Sequence, residues 1–94
     1  GASDYTGRIM IIRPEYFSSR SFTPEEQLFL AQSGPGCDPK EYGGTVNGVC
    51  LYDREEASIT SDCFLGAMRE EHIPVWAREA RDDISEEYDE QPEM

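Results

Sequence analysis

At 94 residues, with 20 acidic side chains against 8 basic ones and a net charge of −12, the chain has room for one domain, and a chain of this size buries only about 60% of the surface its unfolded form exposes. A composition 37% hydrophobic and 30% charged excludes a wholly disordered polymer, and no apolar run approaches the roughly 18 to 20 residues that span a bilayer. So acidic a chain repels phosphate backbones and anionic lipid surfaces, so neither nucleic acid nor membrane is expected as a partner.

From the N-terminus, Gly1-Ala2-Ser3 is small and uncharged, with neither the basic nor the apolar region of an export signal. Residues 1–7 are expected to be a disordered start or a cloning remnant, residues 8–81 a single globular domain, and the setting cytoplasmic. Arg8 to Arg13 is Ile-rich and closed by Pro14, which disfavours helical geometry in the residue before it, so a first strand is predicted over 8–13. Thr23-Pro24-Glu25-Glu26 reads as a helix start: Thr23 suits the N-cap, Pro24 fits the first helical position, where no amide partner is needed, and Glu26 reaches back to the Thr23 amide. Leu28 and Ala31 lie on one side, Phe29 and Leu30 widen the apolar stripe, and Gly34-Pro35 supplies a stop, so a helix is expected over 24–33.

Ser33 to Pro39 and Gly43-Gly44 are turn chemistry, a loop expected to expose Cys37. β-branched and aromatic residues return over Thr45 to Tyr52. Asn47-Gly48 is one candidate turn and Asp53 to Glu56 the other; the second leaves a strand of ordinary length, so a hairpin of 45–52 with 56–60 is predicted. Ser61 or Asp62 then caps a short helical segment through Phe64, Leu65 and Met68, and Pro74 opens a last helix in which Val75, Trp76 and Ala80 fall at helical spacing and Ile84 and Tyr88 continue it. Residues 82–94 hold seven acidic and no basic side chains, so this end carries −7 of the charge and residues 1–81 only −5. The fold expected is α+β, a small three-stranded sheet with helices packed on one face and an acidic, partly disordered C-terminal tail. Its core is expected to include Ile9, Ile11, Leu28, Ala31, Val49, Leu51, Ile59, Phe64, Leu65 and Trp76.

Cys37, Cys50 and Cys63 are an odd number, so free thiols are the default. Together with His72, the sole histidine, they are the only set matching a Cys3His zinc site, but no two cysteines stand closer than 13 positions, where structural zinc sites present close cysteine pairs. No metal and no cofactor is therefore expected. The chain has no phosphate-cradling glycine motif, and its paired glutamates at 25–26, 55–56 and 70–71 come with no apolar pocket that raises a carboxyl pKa. No catalytic residue is assigned and no enzyme is expected. Binding remains: Trp76 beside Pro74 and Val75 suits a hot spot, and Ile84 and Tyr88 are spaced apolar residues in an acidic stretch of the kind that folds against basic partners. Packing of the last helix on the sheet explains Trp76 equally well, and a solubilising end explains the other two.

Over residues 27–77 the chain resembles short uncharacterised proteins and segments of conjugative and other mobile elements of gut bacteria. The resemblance is carried by Gln27-Leu28-Phe29-Leu30-Ala31-Gln32-Ser33-Gly34-x-Gly36-Cys37-x-Pro39, then Gly44-x-Val46-x-Gly48, Asp53, Phe64-Leu65-Gly66 and Pro74-x-Trp76-Ala77. Where such segments have an aromatic after the first glycine this chain has Pro35, and Asp53-Arg54 stands where they have Asp-Gly. The resemblance implies a turn after Tyr52 and a bacterial cytoplasmic setting, and brings no assigned activity or site residue. The leading expectation is a monomeric, non-enzymatic protein-interaction or accessory module of a bacterial mobile element, with a partner of basic character. The alternatives are an acidic DNA-mimic inhibitor of a nuclease or restriction system, which needs carboxylates spread along one face, and a small zinc or thiol protein.

Overall fold

Short apolar runs separated by turn residues build a sheet here, and one longer amphipathic run builds a helix. In the computed structural model, which describes residues 4–89, the strands are Ile9–Ile12 (β1), Leu28–Ser33 (β2), Thr45–Cys50 (β3), Glu55–Thr60 (β4) and Phe64–Ala67 (β5), and Val75–Asp89 forms the helix α1. The five strands make one antiparallel sheet in the order β4-β3-β2-β1-β5. This small compact α+β domain corrects the expected three-stranded sheet with several helices: two of the segments read as helical are strands.

The larger correction concerns residues 24–33. The start signal at Thr23 is real but lasts one turn: Pro24–Gln27 is a 3-10 turn in which the Thr23 amide donates to Glu26 Oε1 at 2.8 Å and the Glu26 amide to the Thr23 carbonyl at 3.0 Å. Gln27 then donates from its side chain to the Ile12 carbonyl at 2.8 Å, fastening the turn to the end of β1. From Leu28 onward four consecutive residues are buried, which only an element covered on both faces accommodates. Leu28 and Leu30 pair with Ile11 and Ile9 and face α1, while Phe29 pairs with Met10 and faces away from it. The second correction is the segment after Ser61, where a 3-10 turn over Ser61–Cys63 leads directly into β5. Strand alternation buries Phe64 and leaves Leu65 56% exposed, so Leu65 leaves the expected core.

The sheet is thus packed on both faces. On one, Ile9, Leu28, Leu30, Leu51 and Ile73 are buried together with Ala77 and Ala80 of α1, with Ile11, Met68, Trp76 and Ile84 partly buried against them. On the other, Met10, Ile12, Phe29, Val46, Ile59 and Phe64 form a second core roofed by irregular chain that contributes Phe17 and Cys37. Phe17 stacks on Phe22 at 4.5 Å between ring centroids, and Phe29 meets Phe64 at 5.3 Å. Fully burying a side chain such as Phe29 is worth about 1.5–3 kcal/mol, so this roof, although mostly without regular structure, covers a substantial part of the core.

The hairpin forms where expected, with β3 and β4 in an unbroken six-pair register from Thr45↔Thr60 to Cys50↔Glu55. Its turn uses Arg54 at a φ of 63°, and Asp53 Oδ1 accepts the Glu55 amide at 3.0 Å. α1 begins after Pro74, and its backbone continues through position 82 to Asp89. Among the described residues no helix is long and apolar enough to cross a membrane.

Candidate functional site

The chain leading into α1 is fixed by a single carboxylate. Glu70, in the 3-10 turn Glu70–His72, receives both arms of the Arg81 guanidinium, at 2.9 and 3.1 Å, and its backbone carbonyl accepts Arg78 at 2.9 Å. Arg8 at the start of β1 stands 4.0 Å from the same carboxylate. The Arg81 fork, helped by the nearby charges of Arg8 and Arg78, holds the Glu70 carboxyl below the usual glutamate range, and Glu70 in turn raises Arg81. Residue 73 follows as a buried Ile, and Pro74 opens the helix by accepting from the Ala77 and Arg78 amides.

This geometry places Trp76 in the first turn of α1, partly buried against the core on that side of the sheet. Its ring borders a cleft of about 350 Å³ whose apolar walls are Pro24, Leu28, Met68, Pro74 and Trp76, with Glu25 and His72 at the polar margin. Leu28 is almost fully buried, while Val75, beside Trp76, is 70% exposed. The cleft suits an apolar side chain with a polar or basic flank. Trp76 therefore packs on the core and borders this cleft at once.

The other two binding candidates divide. Ile84 is partly buried against the same core as Trp76, and packing accounts for it. Tyr88 falls within the span of α1, but its side chain lies outside the described residues. What sequence reading missed were the partners of Trp76. Pro24 served as a helix-start signal, Leu28 as core and Met68 as the end of a supposed helix, and only the tertiary fold brings the three to Trp76.

The sheet separates the residues considered for zinc. Cys37, Cys50 and Cys63 belong to the core opposite α1, whereas His72 borders the cleft on the α1 side. Among the described residues no group of three or more His, Cys, Asp or Glu is arranged to hold a metal ion. Cys37 corrects the expectation of an exposed loop thiol: it is buried, its Sγ is 3.4 Å from the Ser33 carbonyl, and burial pushes its pKa up. Burial raises Cys50 as well, with Asp53 and Glu55 adding to the effect. Such thiols are held as the un-ionised form, the opposite of what activates a cysteine nucleophile.

A second surface runs across β2, β3 and β4, on the part of the sheet that α1 leaves open. Asn47 bridges Ser33 and Ser58 across three strands, donating to Ser33 Oγ at 3.4 Å and accepting from Ser58 Oγ at 2.7 Å. Beside this row is an open hollow of about 560 Å³ lined by Gln32, Asn47, Gly48, Glu56, Ala57 and Ser58. No family model, no curated protein and no solved structure matches the chain. The functional reading therefore stands on these surfaces.

Proposed function

We propose that the chain is a non-enzymatic protein-interaction module, an accessory module of a bacterial mobile element, which seats an apolar side chain of a protein partner in the Trp76 cleft. The observation that carries the reading is a tryptophan fixed in the first turn of α1 over walls formed by Pro24, Leu28, Met68 and Pro74. Tryptophan in a pocket that excludes water is among the side chains that dominate binding energy. The net charge of −12 favours a basic partner, because it speeds encounter and suppresses acidic competitors. The mobile-element setting rests on the residue pattern between Gln27 and Ala77 alone.

Trp76 is the sole tryptophan, so its fluorescence reports on the cleft directly. The test uses wild type, Met68→Glu and Glu15→Gln as baits in a bacterial lysate, with the fold of each checked by circular dichroism. Wild type and Glu15→Gln should retain a common partner that Met68→Glu loses, and adding the purified partner to wild type should shift Trp76 emission. A partner retained equally by Met68→Glu, or one that leaves Trp76 emission unmoved, removes the cleft from the interaction.

A further inference from the structure

The sheet ends differently at its two edges. β5 is four residues long, its pairing with β1 slips between Ile11 and Ile12, and it contains Gly66 at a φ of 154°. A short, irregular edge is one of the ways proteins prevent another strand from adding. β4 has none of these features: it is six residues long and pairs with β3 without a bulge. As the terminal strand of the sheet it turns every second N–H and C=O away from β3, which is the arrangement a further strand uses.

Charge and shape around this edge select what adds. From Glu55 to Met68 the chain carries Glu55, Glu56 and Asp62 and no basic residue. The nearest cation, Arg54, is drawn toward Asp83 at 3.4 Å. On the α1 side, β4 presents Glu56 and Ser58 to the open hollow; on the other side, Ala57 is partly buried and Ile59 is buried against the core. We propose that β4 is a docking edge for an extended basic segment of a partner protein, which adds as a sixth strand with Lys or Arg on the side of Glu56 and the hollow, and small or β-branched residues beside Ala57 and Ile59. Opposite charges across a strand pair stabilise it and like charges oppose it. A second copy of this chain is the disfavoured occupant, since it brings four carboxylates from two β4 strands into one ladder between molecules that each carry −12. The proposal is independent of the Trp76 cleft and is read out at different atoms.

The test titrates the full chain with a synthetic peptide alternating Lys with Val and Thr and follows amide hydrogen exchange by NMR. The outward-facing amides of residues 55–60 should slow by at least about tenfold at saturation, and the binding should weaken as salt rises. The same peptide N-methylated on the edge that meets β4 keeps its charge but loses the ladder, and it should bind at least about tenfold more weakly. Glu55→Lys with Glu56→Lys should lose the basic peptide and take a Glu-alternating one instead. Equal binding of the methylated peptide, exchange slowed elsewhere but not in β4, or no slowing at all each overturns the proposal. So does protection of the β4 amides in a dimer formed without peptide. The methylated arm uses the wild-type chain and decides the question even where the double variant fails to fold. A shift of Trp76 emission without β4 protection sinks the edge while leaving the cleft reading intact.

Discussion

A methyl group placed on Gly48 meets the carbonyl oxygen of Leu30 and lies 2.8 and 2.9 Å from two ring atoms of Phe29. The position is mid-strand in β3, opposite Ala31 and Ala57, and Phe29 occupies the space a side chain there needs. Gly48→Ala is expected to destabilise the domain by about 1–3 kcal/mol through overpacking, and a urea midpoint equal to wild type rejects that account. The same residue shows why part of the sequence misleads. Asn-Gly is a strong two-residue turn signal, yet here glycine is required by the Leu30 carbonyl and the Phe29 ring of the neighbouring strand, which local sequence does not reveal. At Glu70 the expectation concerns pH. Its pKa is lower in the folded protein than the ordinary value of about 4.3, so the stability it contributes is fully present above that value and is lost as pH falls through the lower folded one. Glu70 is half exposed, and solvent screening limits the effect to about 0.2–1 kcal/mol. Urea midpoints of wild type and Glu70→Gln should therefore differ near pH 7 and converge as pH falls below the ordinary glutamate range; a difference that stays constant as the pH is lowered sinks the pairing with Arg81 as its cause.

For whole elements, what was legible depended on whether the signal was local. β1 showed itself as a short Ile-rich run stopped by Pro14, the hairpin as two β-rich stretches around Asp53, and α1 as a spacing that begins at Pro74. β2 did not, because Thr23 to Glu26 is a well-formed helix start and Leu28 to Ala31 is apolar without alternation. A short run apolar on every side is compatible with a buried helix or with a strand covered on both faces, and periodicity does not separate them. The neighbours decide it: β1 and β3 pair with β2 on either edge, satisfying its backbone in the ladder. β5 was hidden by the same ambiguity, since Phe64-Leu65-Gly66-Ala67 follows capping residues and is too short to show a period. The candidate site was legible only as Trp76. Its walls come from positions 24, 28 and 68, a juxtaposition that exists only once β2 is a strand and α1 lies across it.

Across the molecule, charge is the property that local elements do not balance. Twenty carboxylates face 8 cations, and ion pairs such as Glu70 with Arg81, Arg20 with Glu26 and Arg54 with Asp83 are exposed or only partly covered. Two effects of salt compete. Screening weakens pairs of this kind, each worth about 1 kcal/mol or less, and it also relieves the self-repulsion of a chain at −12. Excess like charge acts through every carboxylate, whereas the cations available for pairing are few, so relief of repulsion should prevail. Raising sodium chloride from about 0.01 to about 0.15 M shortens the screening length from about 30 to about 8 Å, and the urea midpoint is expected to rise over that interval. Chloride is the appropriate salt, because sulfate also strengthens apolar burial by exclusion from the surface. The rise should be smaller near the isoelectric point of about 4.2, where little net charge remains to screen. A midpoint that falls with salt at neutral pH means that the ion pairs around Glu70 outweigh the repulsion, and that the fold is held by its charges instead of strained by them.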